Sequence, residues 1–189
     1  IIAGDSWGCG EPRVIDDTGP IVKYGTVTHT GLEQYLQDDG YNVVNLSVGN
    51  ASNTDIWNQL NNSLNTLNCV GKVSDVHSIF VFQTEWHRCY RHTLPLDSVI
   101  DIDYIHRVMS AHYYRLSDLA LKFNVRIGLI GGCSDVLWLD AFEKEYPGVF
   151  IACQSMINLC LNDNHRTENP LFDLLPDLLI VDKMKLNNF

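Results

Sequence analysis

Apolar residues recur along this chain with two alternating periods, and the alternation predicts a succession of short strands and longer helices. Ile1–Ala3 is an apolar run that ends at the turn Gly4-Asp5-Ser6-Trp7-Gly8. A polar loop leads to Thr30, placed to cap a helix from Gly31 to Asp39 that Gly40 stops. Tyr41–Ser47 reads as a second strand. Asn53 or Thr54 then caps a helix with Ile56, Leu60, Leu64 and Leu67 at helical spacing. Ser78–Gln83 is a buried strand bounded by polar residues. Ile102, Ile105, Met109, Tyr113, Leu116, Ala120 and Phe123 keep to one stripe of a long helix over 101–123. Val125–Ile130 is a fourth strand closed by Gly131-Gly132, Leu137–Tyr146 a helix stopped by Pro147-Gly148, and Val149–Cys153 a fifth strand.

Strands separated by helices pair in parallel through right-handed crossovers, and parallel sheets are covered on both faces. The expected fold is therefore α/β: a three-layer α/β/α sandwich around a flavodoxin-like parallel sheet of about five strands, in one domain over 1–189. Sites in such sheets form beyond the carboxyl ends of the strands, where the strand order reverses. That rule selects Gly4–Gly10, Val48–Asp55 and Thr84–Arg88, with Gly131–Asp135 next.

Composition narrows the partners. The chain has 189 residues, 46% of them apolar, enough for a sizeable core and too many for a disordered segment. No run approaches the ~18 apolar residues of a membrane span, so no membrane partner is expected. Acidic residues outnumber basic ones 23 to 13, whereas a nucleic-acid binder leads with a basic face, so that partner is not expected either. The cysteines at 9, 69, 89, 133, 153 and 160 form no CxxC pair. They read as reduced, mostly buried thiols, which favours a cytoplasmic setting, and no signal peptide is visible. Glycosylation sequons at Asn45, Asn50 and Asn61 fall in an Asn-rich stretch where chance matches are expected.

Two glycine-bearing turns carry candidate chemistry. Ser6, among glycines that let the backbone turn sharply, reads as an exposed nucleophile, as part of an anion-cradling loop, or as a plain tight-turn residue. Neither the Walker pattern nor a GxGxxG opening directly into a helix is present. Gly49, after the second strand, can present a bare amide to an oxyanion or simply make a turn. His106 and His112 are six apart and share no helical face, so they do not read as a metal pair. Trp7 and Trp86 lie on the selected loops and offer an aromatic lip.

The string Ile-Ile-Ala-Gly-Asp-Ser-Trp-Gly at 1–8 resembles the first block of the SGNH (GDSL-type) hydrolases, and Asn45-Leu-Ser-Val-Gly-Asn-Ala-Ser-Asn-Thr-Asp resembles their second. The loop with Trp7 and Gly10-Glu11 is similar to that of bacteriophage-type members. The resemblance implies Ser6 as nucleophile, with the Ser6 and Gly49 backbone N–H groups holding the oxyanion and Asp5 in support. It implies cleavage of a carboxylic ester on a small molecule or carbohydrate, an O-acetyl group among the candidates, through an acyl-serine, with no metal or organic cofactor. A histidine would take the serine proton and an aspartate would orient it.

Two blocks depart from the family pattern. Where the family has Gly-x-Asn-Asp, this chain reads Phe82-Gln83-Thr84-Glu85. Thr84 falls at the asparagine, the third oxyanion donor; Gln83 does so if the register slips by one, and Arg88 is a nearby positive charge. The late Asp-x-x-His is missing: His165 follows Asp163 by two residues instead of three. The base is then His165, a histidine beyond Phe189, or absent. A start at Ile1 and the missing last block make a domain incomplete at both ends the expectation. The alternative function is a non-catalytic or degenerate SGNH-fold binding module. A phosphate-ester or nucleotide-binding domain is disfavoured because the first loop has no lysine.

Overall fold

A computed structural model of the chain describes residues 1–5, 8–9, 11–14, 24–29, 31–84, 102–132, 136 and 142–156. In chain order its elements are β1 (Ile2–Ala3), β2 (Glu11–Val14), β3 (Tyr24–His29), α1 (Leu32–Asp38), α2 (Asn53–Cys69), β4 (Ile79–Gln83), α3 (Ile102–Phe123), β5 (Ile127–Gly131), α4 (Phe142–Glu145) and β6 (Val149–Cys153). All lie in one compact unit, Ile1–Ser155.

Four strands form a parallel sheet in the order β1-β4-β5-β6, so the fold is α/β with a parallel sheet. The expected second strand, Tyr41–Ser47, also runs parallel to β1, on its other edge, but pairs only as a single bridge between Ile2 and Asn45. Ile2 N–H donates to the Val44 carbonyl at 2.9 Å and Leu46 N–H to the Ile2 carbonyl at 2.8 Å. The reason for so short a ladder is length, since β1 offers only two residues to pair with. Tyr41, Val44 and Val48 are exposed along this edge. With the segment included, the order is consistent with a flavodoxin-like sheet.

Alternation within the strands sorts side chains to two faces. Ala3, Ile79, Val81, Ile127 and Leu129 join the Ile56-Leu60-Leu64 stripe of α2 and the Met109-Tyr113-Leu116 stripe of α3 in one core. The apolar periodicity thus finds its partner: α2 packs on α3 and on β1, and α3 on β5 and β6. Tyr113 meets Phe142 and Tyr146 edge-on, at 5.0 and 5.4 Å between ring centres, which ties α4 to the same side. Phe82 turns to the opposite face, beneath the turn after β1.

Four local expectations need correction. The loop before Thr30 contains an antiparallel pair, β2 with β3, whose register shifts on both sides of Pro12, a residue without an N–H for the ladder. Gly31 is the N-terminal cap of α1 and no side chain caps it; Thr30 lies outside the described residues. The cap of α2 is Ser52, not Asn53 or Thr54, in a reciprocal box with Asp55. Finally, Cys9, Cys69 and Cys153 are free thiols, but Cys69 is exposed and the other two only partly covered. Of the expected helix Leu137–Tyr146, α4 is the described part. Among the described residues no helix is long and apolar enough to cross a membrane.

Close approach explains the first two glycines. A Cβ on Gly4 would sit 2.7 Å from the Phe82 Cβ, and one on Gly8 would run into the Ser47 Oγ. Phe82 Cβ is fixed to the backbone of β4 and cannot rotate away. Gly4→Ala should therefore lower stability by about 1–3 kcal/mol, read as a shift of the urea midpoint.

Candidate functional site

Because β1 runs between the Tyr41–Val48 segment and β4, three chain segments leave the sheet side by side at its carboxyl edge. The turn after β1 is closed by Gly8 N–H donating to the Asp5 carbonyl at 3.1 Å. Asn45 pins it from the neighbouring segment, its Nδ2 donating to the Gly8 carbonyl and to Glu33 Oε2, both at 2.9 Å. Val48 N–H donates to the Gly4 carbonyl at 3.1 Å. Ser6 and Trp7 lie outside the described residues, but both ends of the turn that contains them are thus tied down.

The next turn runs from Val48 to Ala51, closed by Ala51 N–H on the Val48 carbonyl at 3.0 Å. Asn50 takes the left-handed conformation, at φ 65°, which asparagine tolerates. Gly49 is different. Its φ is not positive, and among the described residues beyond its two chain neighbours no atom lies within 4 Å of where its Cβ would be. Neither strain nor crowding requires a glycine here, so what the missing side chain leaves is open space beside a backbone N–H.

Thr84 follows β4 and is fixed by a side chain 31 residues away. Its N–H donates to Asn53 Oδ1 at 3.0 Å, and its carbonyl accepts from Asn53 Nδ2 at 2.8 Å. The box between Ser52 and Asp55 is what releases Asn53 from capping to make this clamp. Thr84 is 1% exposed, and its amide and carbonyl are both used by Asn53. Gln83, the other register, points to the helix face, where its Oε1 accepts from the Tyr113 hydroxyl at 2.8 Å.

Electrostatics around the first two turns centre on Asp5 and Cys9. Asp5 is fully buried. Burial, then the Asp5 carboxylate, pushes the Cys9 thiol above its ordinary value, while the Gly49 N–H facing the sulfur works against them. The Gly49 amide therefore faces Cys9. On α3, burial and then the neighbouring Arg115 guanidinium pull His112 down to about 3, so its ring is neutral near pH 7. Asp55 is held below the usual carboxylate range by the Ser52 hydroxyl and N–H.

Structure and sequence meet unevenly at this edge. Gly49 and Thr84 leave adjacent positions, on either side of β1. Arg88, Trp86, His165 and the segment 133–135 lie outside the described residues. Among the described residues no three His, Cys, Asp or Glu side chains converge as metal ligands. The sequence reading missed Asn53, Cys9 and His112. For Asn53 a signal existed, since Ser52-Asn53-Thr54-Asp55 is a capping-box pattern that leaves Asn53 free for other work. Set against models of known protein families, curated proteins and solved structures, the chain matches none of them.

Two outcomes follow from these contacts. Asn53→Ala strands a buried N–H and a buried carbonyl at Thr84 and should cost about 2–4 kcal/mol in chemical denaturation. His112 titrates at 6.5 in the unfolded chain and near 3 in the folded one. Between those values the unfolded state takes up a proton that the folded state refuses, so stability is present above the window and falls as pH drops through it. The contribution is up to about 1.4 kcal/mol per pH unit, and His112→Leu should remove that share of the slope.

Proposed function

We propose that this chain is an SGNH-like (GDSL-type) serine hydrolase acting on a carboxylic ester of a small molecule or carbohydrate, its sheet being the middle layer of a three-layer α/β/α sandwich. One observation carries the reading. The turn containing Ser6, the Val48–Ala51 turn with Gly49 and the position after β4 at Thr84 leave neighbouring strands at one edge of the sheet.

In this reading Ser6 Oγ adds to the ester carbonyl carbon as a histidine takes its proton. The carbonyl oxygen becomes an oxyanion, which accepts from the Ser6 and Gly49 N–H groups and from the Thr84 hydroxyl. Collapse breaks the bond to the alcohol, which leaves with the proton. Water then adds to the acyl-serine and releases the acid. His112 is not the base: a ring that titrates near 3 is too weak to take a serine proton. His165 stays a candidate for the base.

The binding-module reading has one observation in its favour, the burial of Thr84. A fluorophosphonate probe separates the two. The hydrolase is expected to be labelled at Ser6, and Ser6→Ala to abolish the label. A folded protein left unlabelled points to the binder. Thr84→Val should lower kcat/KM for p-nitrophenyl acetate on the order of 10²-fold, and Thr84→Ser should retain most of it.

A further inference from the structure

A crevice between the first turn of α2 and the side of α3 has no part in the reaction just described. It encloses about 220 Å³ and is lined by Asn53, Thr54, Tyr104, Arg107, His112 and Arg115, with the small apolar surfaces of Val108 and Ala111 between them. The sequence explains the grouping. Positions 104, 107, 108, 111, 112 and 115 follow one another at three- and four-residue spacing along one face of α3. We propose that this crevice binds an organic oxyanion: a carboxylate or phosphoryl group carried on a molecule the size of a sugar ring.

Charge is the first argument. The chain carries a net charge of −10, yet among the described residues no carboxylate lines this crevice and two guanidinium groups do. Among the described residues neither guanidinium is ion-paired. Each lies instead over an aromatic ring, Arg107 Cζ 6.0 Å from the Tyr104 ring centre and Arg115 Cζ 5.7 Å from that of Trp57. A guanidinium held over a ring keeps N–H groups for an oxyanion, which it can meet with two parallel hydrogen bonds. The opening also lies on the N-terminal turn of α2, the positive end of a 17-residue helix. The one carboxylate in that turn, Asp55, is folded back onto Ser52, accepting from its N–H and hydroxyl at 2.9 and 2.7 Å.

His112 is the second, independent argument. It forms part of the wall, is 5% exposed, and its Nε2 is buried without a hydrogen-bond partner. A buried ring nitrogen left unpaired is costly, and native proteins rarely keep one without a use for it. The ring is neutral, so it contributes a hydrogen-bonding group and not a third positive charge. The space exceeds what a bare oxyanion fills, and the Tyr104 ring with Val108 and Ala111 gives a carrier ring something apolar to lie against.

The proposal is independent of the hydrolytic reading and is tested by binding alone. The full chain is titrated calorimetrically at constant ionic strength with glucuronate, with glucose 6-phosphate, and with glucose as the uncharged control. Saturable binding of either acid and none of glucose is expected, and which acid binds separates a carboxylate from a phosphoryl ligand. The R107Q/R115Q double variant, altered only at exposed positions, should bind at least tenfold more weakly while its far-ultraviolet circular dichroism is unchanged. R107Q alone serves as the readout if the double variant is not folded. No saturable heat with either acid, or an affinity unchanged by the substitutions, would overturn the proposal.

Discussion

The carboxamide of Asn53 is the contact on which the arrangement of this protein's sheet edge depends. A strand that ends in the interior leaves an N–H and a carbonyl to be satisfied, and at Thr84 one side chain supplies partners for both. Asn53 is also the first residue of α2, so the same pair of hydrogen bonds fixes where that helix starts above the sheet. The Val48–Ser52 turn is consequently strung between two anchors, the Val48 bond to Gly4 on one side and the Asn53 clamp on the other. Gly49 sits between them, and its position is set by groups that belong to β1 and β4.

Elements with strong internal periodicity were legible from the chain alone. The stripe from Ile102 to Phe123 and the apolar runs at Ile79–Gln83 and Val149–Cys153 became α3, β4 and β6 at nearly the expected bounds. What could not be read locally was decided by distant partners. Ser52, Asn53 and Thr54 are all plausible caps, and Asn53 is excluded from that role by a strand 31 residues away. Tyr41–Ser47 has the composition of a strand, but how much ladder it forms is set by the two residues that β1 offers. The β2–β3 pair was illegible because Pro12 argues against a strand and neither run alternates clearly.

The same division holds at the candidate site. The glycine at 49 and the threonine at 84 were readable as positions, because the alternation of elements told where strands end. Their surroundings were not. That no described side chain fills the space at the Gly49 Cβ position follows from the course of the Val48–Ala51 turn, and that Cys9 faces its N–H follows from parallel pairing of segments forty residues apart in the chain. His112 illustrates a further limit. It lies just outside the expected apolar stripe, next to Tyr113, and only the seating of α3 against α2 and the sheet reveals that it is covered.

The edge segment that carries Gly49 joins the sheet through a single bridge and three backbone hydrogen bonds, two to Ile2 in β1 and one to Gly4 beyond it, and several of its side chains face outward. Between its anchors the segment has few backbone hydrogen bonds, the condition under which amide protons exchange through local opening and not through global unfolding. An N–H mounted there is withdrawn whenever the edge undocks. Any acceptor that binds this N–H therefore stabilises the docked edge by mass action, so that occupancy and completion of the sheet become one linked equilibrium.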